Sequence, residues 1–280
     1  MLGNFIYSEE VADSPGKYAA PQKVEKAARR ILLLAAIVIG GGLIWLLFIS
    51  PCMMPVKMDI DAVPGLGKAE VLYYAGIPGG ATFVSINVAE AERLLSRHHL
   101  LESVKITKRF PDRLSIYLEP RKAAAMTLFS INGRTQPVYL DRHGVVFKIG
   151  NEAGEKIPAR LPVVSGVLSD ALPPRLGMKV PAAYLPVFSQ IGAISDEDPN
   201  IWQAISEIGI THKNSEVFDL LLYPAHNPIK LRMGNDLKKE KIYYALVMSE
   251  VYSQMGSGIP SEIDVRSGLG VIAREDGNGK

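Results

Sequence analysis

The most apolar stretch of the chain lies near its N-terminus, where residues 31–49 contain no charged side chain. A helix rises about 1.5 Å per residue, so about 19 residues span about 28 Å, close to the hydrocarbon thickness of a bilayer. Pro51 and Pro55 follow this stretch, and proline ends a helix because it lacks a backbone N–H. The pattern predicts a transmembrane helix over residues 31–51, bounded by Ile31 and Ile49, with Trp45 near the membrane interface.

The flanks of this segment differ in charge. Only Lys57 is basic within the ten residues after Pro51, whereas four basic residues precede the apolar stretch: Lys23, Lys26, Arg29 and Arg30. The positive-inside rule then places the N-terminus in the cytoplasm and everything after the span outside. We expect residues 1–30 to be a mostly disordered cytoplasmic tail of a single-pass type II inner-membrane protein.

Two other interpretations of the apolar segment stay open. A cleaved signal peptide has a shorter apolar core and fewer residues before it than this chain has. Lipidation at Cys52 requires a lipoprotein box, from which Pro51 departs. Cys52 is the only cysteine, so no internal disulfide can form, and the exterior part depends on packing for its stability.

After the span, residues 55–122 follow the pattern of a small α+β unit. Alternating apolar residues predict a strand over 56–63, and residues 68–75 suit a short helix. Asn87 is a good N-cap for a second helix over 88–97. Residues 103–110 and 113–119 alternate again on either side of Pro111-Asp112, which predicts a hairpin. The expected order is β-α-α-β-β, with both helices on one side of the sheet.

From residue 123 the pattern changes to short strands and loops, which predicts a β-rich unit with helices up to residue 273. A helix is expected over 236–254, capped by Asp236, and residues 274–280 are expected to be disordered. A second, less regular helix is expected over 180–194. The predicted strands are 125–131, 137–140, 145–149, 161–167, 202–210, 217–223, 229–233 and a final strand over 262–273. The fold class is therefore α+β.

The sequence carries few signs of catalytic chemistry. The five histidines show no metal-ligand spacing, and no phosphate-binding or nucleophile motif is present. A net charge of +2 gives no general affinity for nucleic acid. The sequence predicts no catalytic residue, metal, cofactor or small-molecule substrate. Four basic residues on the predicted hairpin form either a solvated strand face or a charged docking surface: Lys105, Lys108, Arg109 and Arg113.

The order of elements and several sequence stretches resemble the FtsQ/DivIB family of bacterial cell-division proteins. Residues 104–114 are similar to the hairpin of that family's POTRA domain, and Glu119-Pro120-Arg121 to its exit. Residues 138–147 and 161–163 are similar to the opening of its β domain, and residues 263–266 to its final strand. The resemblance covers roughly residues 25–273, and it implies one transmembrane helix, a POTRA domain and a larger β-rich domain.

The resemblance also implies a function. Members of that family are non-enzymatic scaffolds at the division septum, recruiting FtsB- and FtsL-like proteins and thereby the septal peptidoglycan synthases. A segment of FtsB adds to the final strand. Carried over to this chain, Arg266 would pair with a partner carboxylate and the following residues would supply backbone pairing. The implied partner-binding residues are Arg266, Ser267, Gly268, Leu269, Gly270, Val271 and Ile272.

The sequence leaves three alternatives open for the final strand and for the function of the chain. The final strand could be internal and only structural. The chain could be another POTRA protein that assists outer-membrane insertion or secretion, although such proteins usually carry several POTRA units or a barrel. It could also be a membrane-anchored periplasmic hydrolase, which would require a polar pocket with perturbed ionisable groups.

Overall fold

The computed structural model describes residues 22–131, 133–151, 161–169, 173–212, 217–255, 259–267 and 271–273. The predicted disordered segment 274–280 and residues 1–21 of the predicted tail lie outside these ranges. The prediction of disorder is wrong for residues 22–30, because helix α1 already begins at Gln22 and runs to Ile44. The basic flank is therefore part of the helix.

The helical segment continues beyond α1 through a wider π-helical turn, Trp45–Ile49, into a single turn α2, Ser50–Cys52. The wide turn ends two residues before Pro51, whose missing N–H interrupts the regular hydrogen-bond ladder. Residues Glu25–Cys52 form a helix long and apolar enough to cross a membrane, with a mean hydropathy of 2.7 in its most apolar window, none of which is buried. Ile31, Trp45 and Ile49 are all exposed, as lipid-facing side chains would be.

The first exterior unit has the predicted β-α-α-β-β order. Its strands form one sheet in the order β1-β3-β2, with β1 parallel and β2 antiparallel to β3. Alternating apolar residues face the helices, with Ile106, Leu114 and Ile116 buried. The elements are β1 (Lys57–Ile60), α3 (Lys68–Tyr74), α4 (Val88–Leu95), β2 (Leu101–Arg109) and β3 (Arg113–Pro120).

Helix α4 is fixed at both its start and its middle. The side chain of Asn87 accepts a hydrogen bond from the Glu90 backbone N–H at 3.2 Å, which confirms the predicted N-cap. Glu92 reaches across to the sheet, where its carboxylate accepts from the Ile106 N–H at 2.7 Å. Leu95, at the end of the helix, is fully buried against the sheet.

The second exterior unit contains a small and a large sheet. The small sheet has the order β4-β5-β6 and is antiparallel throughout. The strands predicted over 137–140 and 145–149 pair as the β5–β6 hairpin. Gly144 permits the turn between them because it adopts a φ of +66° and a side chain there would meet Val180 and Leu185. The strands are β4 (Ala125–Ile131), β5 (Arg134–Leu140) and β6 (Val146–Ile149).

The large sheet has the strand order β12-β11-β10-β9-β8-β7. Two helices, α5 (Leu185–Glu197) and α6 (Lys239–Gln254), contribute to its core, where Phe188 and Ile242 are fully buried. The strands are β7 (Val164–Ser165), β8 (Ile205–His212), β9 (Phe218–Pro224), β10 (Lys230–Gly234), β11 (Glu262–Asp264) and β12 (Val271–Ala273).

Several predicted element starts are wrong. The helix predicted over 180–194 begins as an α-helix only at Leu185, the strand predicted over 161–167 begins at Val164, and the strand predicted over 137–140 begins earlier, at Arg134. The strand predicted over 202–210 begins only at Ile205, because residues Ile201–Ala204 form a 3-10 turn that buries Trp202 and lets its indole N–H donate to Ser195 Oγ at 2.8 Å. Asp236 is not the N-cap of α6; Lys238 holds that position. The Asp236 carboxylate instead accepts from the Lys241 ammonium at 3.3 Å.

The predicted single strand over 262–273 is also wrong. Strands β11 and β12 form an antiparallel pair, so the chain reverses between them. The Asp264 carboxylate accepts from the Arg266 backbone N–H at 3.0 Å, the local bond of an Asx turn. This side-chain-to-backbone bond ends β11, so that the last strand returns alongside it.

Candidate partner-binding edge

Strand β12 lies at the edge of the large sheet. β11 is parallel to β10 on one side and antiparallel to β12 on the other, with Ile263 opposite Ile272. Within the described ranges, no strand pairs with the outer side of β12. At the opposite end of the sheet, β7 is next to β4, where Met126 bridges Val163. Of the two edges of the large sheet, the β12 edge is therefore the one whose backbone N–H and C=O groups can bond another strand.

The backbone pairing of β11 shows which groups of β12 face outward. Val265 N–H donates to Arg232 O at 2.9 Å and Lys230 N–H donates to Ser261 O at 3.1 Å, so the odd-numbered residues of this segment bond toward β10. Successive residues of a strand direct their backbone groups to opposite sides. Glu262 and Asp264 consequently face β12 and pair with Ala273 and Val271. The N–H and C=O of Ile272, which lies between those two, point away from the sheet.

A network of charged side chains lies beneath this edge. The Arg232 guanidinium on β10 bonds the Glu262 carboxylate through two of its nitrogens and the Asp219 carboxylate at 3.0 Å. Asp219 is almost completely buried. The hydrogen bonds that Arg232 donates to the Glu262 and Asp219 carboxylates raise the pKa of Arg232 well above its usual range. Arg232 therefore stays charged and connects three neighbouring strands.

Arg266, the predicted contact for a partner carboxylate, belongs to the same network. Its Nε lies 2.9 Å from both carboxylate oxygens of Asp264, and its Nη1 lies 3.2 Å from Asp219 Oδ2. The Arg266 side chain is 40% exposed. Its hydrogen bond lowers the pKa of Asp264. The structure thus holds the guanidinium in one orientation through internal carboxylates, while part of it faces solvent.

The predicted partner-binding residues do not form one strand. Arg266 and Ser267 lie in the turn after β11, Gly268, Leu269 and Gly270 lie outside the described residues, and Val271 and Ile272 lie in β12. Sequence reasoning missed Asp219, Arg232 and Glu262. Asp219 stands in an otherwise apolar strand, and Arg232 lies between the apolar residues Leu231 and Met233. This is the signal that would have indicated a buried charge network.

The four basic residues of the first hairpin, predicted to form either a solvated strand face or a charged docking surface, do not all share one exposed face. Lys108 points inward, where its ammonium donates to the backbone oxygens of Phe83 and Ile86, both at 2.6 Å, and lies 5.0 Å from the Phe83 ring centre. Lys108 is therefore a structural residue. Arg109 and Arg113 remain exposed at the end of the hairpin.

The two exterior units are joined by a buried ion pair. Arg121, directly after β3, contacts the carboxylate of Asp141, whose side chain is fully buried. Asp141 also accepts from the backbone N–H groups of His143 and Val145, at 2.9 and 2.7 Å. The Arg121 Nε also donates to the carbonyl of His99 in the first unit, at 3.1 Å, so Arg121 bonds both units. One arginine thus links the segment between α4 and β2 to the turn between β5 and β6.

The structure and a comparison with known families give consistent results. Residues 66–121, from the segment before α3 to the end of β3, match the POTRA domain of the FtsQ type. No curated protein matches the chain. Among the described residues, no cluster of three or more His, Cys, Asp or Glu side chains could hold a metal ion. The apolar N-terminal helix and this domain fit a single-pass inner-membrane protein. The chain therefore carries an FtsQ-type POTRA domain, and this domain supports its assignment to the FtsQ/DivIB family of cell-division proteins.

Proposed function

We propose that this chain is a non-enzymatic scaffold of the bacterial division complex that binds an FtsB-like protein by strand addition at β12. Its N-terminus lies in the cytoplasm and its two exterior units, residues 55–122 and 123–273, lie in the periplasm at the septum. Through FtsB- and FtsL-like partners it recruits the septal peptidoglycan synthases. The FtsQ-type domain supports a role in division, and the β12 edge supports the binding mode.

One observation carries the binding mode: the backbone N–H and C=O of Ile272 point away from the sheet, since Val271 and Ala273 are the residues whose backbone groups face β11. A partner strand that bonds these groups extends the six-stranded sheet by one strand. Main-chain hydrogen bonds supply affinity in this mode, and neighbouring side chains supply specificity.

Arg266 is positioned to supply that specificity. Asp264 and Asp219 hold its guanidinium in place before any partner binds, so less side-chain freedom is lost on binding. A guanidinium has five N–H donors, and its solvent-facing side can bond a further carboxylate. We infer that an acidic residue next to the added strand docks here.

Replacing Ile272 with proline tests the strand addition. Proline removes the outward N–H, and edge positions of a sheet tolerate it. Binding of the FtsB-like protein from the same cell to the full-length chain in lipid nanodiscs should weaken by about tenfold or more, as measured by biolayer interferometry, since main-chain bonds supply the affinity in this mode.

Val271→Pro is the matched variant for this test. It removes an N–H that pairs with β11, so it should destabilise the end of the sheet as well as weaken binding. If Ile272→Pro binds the partner as tightly as the unaltered chain does, strand addition at β12 is wrong.

Arg266→Glu tests the carboxylate contact. The variant places a third negative charge beside Asp264 and Asp219, so a partner carboxylate would meet repulsion instead of a donor. We expect binding of the FtsB-like protein to fall by about tenfold or more, with dissociation accelerated more than association is slowed. Arg142→Glu, another exposed arginine in an ion pair, should leave binding unchanged. If Arg266→Glu binds the partner as tightly as Arg142→Glu does, Arg266 does not contact the partner.

A further inference from the structure

The loops of the first unit that lie nearest the helical segment carry exposed apolar side chains. Phe110, in the turn between β2 and β3, is 57% exposed, and Val84, in the loop between α3 and α4, is 73% exposed. The Phe110 ring centre lies 6.3 Å from that of Phe83, the residue before Val84. The two loops therefore form one apolar tip, which we define as Phe83, Val84 and Phe110.

The apolar tip is held against the chain that leaves the helical segment. Val56 N–H donates to the Ala81 carbonyl at 3.0 Å, and Pro55 bridges Thr82. Both contacts lie only three or four residues after Cys52, the last residue of α2. Lys108 fixes the same loop from the other side through Phe83 and Ile86. The tip thus has little freedom to move away from the end of the helix.

A contact with the helix gives the depth of the tip. The ring centres of Phe48 and Phe110 are 6.0 Å apart. If the hydrocarbon layer begins after Arg30, the last charge before the apolar run, about 20 residues cross it and the far boundary falls near Ser50. Phe48 then lies about 3 Å inside that boundary, at about 1.5 Å per residue. Phe110, beside Phe48, is therefore at the level where acyl chains meet head groups.

Cations lie immediately behind the tip, one on each strand. Lys57 on β1 is in register with Arg113 on β3, which is in register with Arg109 on β2. All three are exposed, and the nearby Asp112 carboxylate bonds only one of them, Lys57, at 2.9 Å. An apolar edge backed by a row of cations is the arrangement that binds the interface of a membrane containing anionic lipid.

We propose that the apolar tip inserts into the outer interface of the bilayer that α1 crosses, with Arg109 and Arg113 at the level of the lipid phosphates. The occupant of this surface is phospholipid. Insertion would fix the tilt of the first unit on the membrane and hold the β12 edge of the second unit at a defined height. The proposal depends on α1 being a membrane span, but it does not depend on any partner.

Nitroxide accessibility in the full-length chain tests the proposal. Labels are attached to single cysteines at positions 110 and 84 in a Cys52→Ser background, in vesicles of phosphatidylethanolamine with a minority of phosphatidylglycerol. We expect the ratio of oxygen to nickel-complex collisions at both sites to exceed that of a control site by about threefold or more, because oxygen concentrates in the apolar layer. Circular dichroism of each labelled chain checks that it is folded.

Tyr117 is the control site. It is exposed on the same hairpin, and it lies four residues along β3 from Arg113, or about 13 Å further from the tip. Val38, inside the helical segment, calibrates a lipid-facing site. A water-like ratio at 110 and 84 with a lipid-like ratio at 38 would overturn tip insertion alone. Low collision rates with both reagents at position 110 would show that this side chain packs against protein, which would also overturn tip insertion. A water-like ratio at 38 would overturn the span itself.

Discussion

Replacing Arg121 with methionine is expected to lower the free energy of unfolding by about 3 kcal/mol, because it leaves the carboxylate of Asp141 buried without a counter-ion. Asp141 has no solvent exposure, and the two backbone N–H groups that it accepts from carry no full charge. Methionine retains much of the arginine's apolar volume, so lost packing contributes little. We expect a loss of unfolding free energy at the lower end of the range for broken buried ion pairs, because the two backbone hydrogen bonds to Asp141 remain.

Urea unfolding of the detergent-solubilised chain, followed by the fluorescence of Trp202, measures this change. Trp202 is buried in the second unit, and a Trp45→Phe background removes the only other tryptophan. Arg142→Met is the matched control: its ion pair with Asp196 is exposed and should be worth under about 1 kcal/mol. Changing Asp141 to asparagine in the Arg121→Met chain should restore part of the loss, because a neutral amide needs no counter-ion. Equal losses for the two arginine variants would contradict the buried-pair interpretation.

Replacing Arg232 with methionine is expected to lower the free energy of unfolding by about 2 kcal/mol and to weaken partner binding at the same time. Arg232 lies between the carboxylates of Asp219 and Glu262, which would otherwise repel each other. Its bonds cross from β10 to β9 and to β11, so their loss loosens the strand on which β12 is paired. The expected change is smaller than for Arg121 because Arg232 is partly exposed and Arg266 still reaches Asp219.

The same unfolding experiment, together with the nanodisc binding measurement, checks this prediction. Arg93→Met is its control, since that arginine forms an exposed pair with Glu90 inside α4 and should change neither quantity. A chain with Arg232→Met that loses stability but binds the partner normally would show that the network stabilises the sheet without positioning its edge. Unaltered stability would show that the network contributes no net energy.

The sequence predicted the first unit well because its information is local. Alternating apolar residues define β2 and β3 whatever surrounds them, and Asn87 caps α4 through a residue only three positions away. The same reasoning failed at Asp236 and at the end of β11. At Asp236 a side-chain contact with Lys241, five residues further on, replaced the cap, and near Asp264 a side-chain bond to the backbone two residues away reversed the chain. Periodicity identifies the face of a strand but not the residue at which it ends.

The candidate edge was only partly predictable. A resemblance to the FtsQ family indicated that the last strand binds a partner, and the residues named for it include Val271 and Ile272 of β12. The orientation of the Ile272 backbone could not be predicted, because it depends on hydrogen bonds made by Val265 and Lys230 in neighbouring strands. The role of Lys108 was equally hidden, since its carbonyl partners lie more than twenty residues away.

The sequence by itself determined the features that depend on local composition and spacing: an uncharged segment long enough to cross a bilayer, a β-α-α-β-β unit after it, and the lack of recognisable catalytic motifs. Only the tertiary structure decided which strand forms the edge, which arginines are engaged by internal carboxylates, and which loops lie beside Phe48. The physical reason is range. Helix and strand periodicity arises from neighbours within a few residues, whereas edges, ion pairs and buried charges arise from residues distant in sequence that packing brings together.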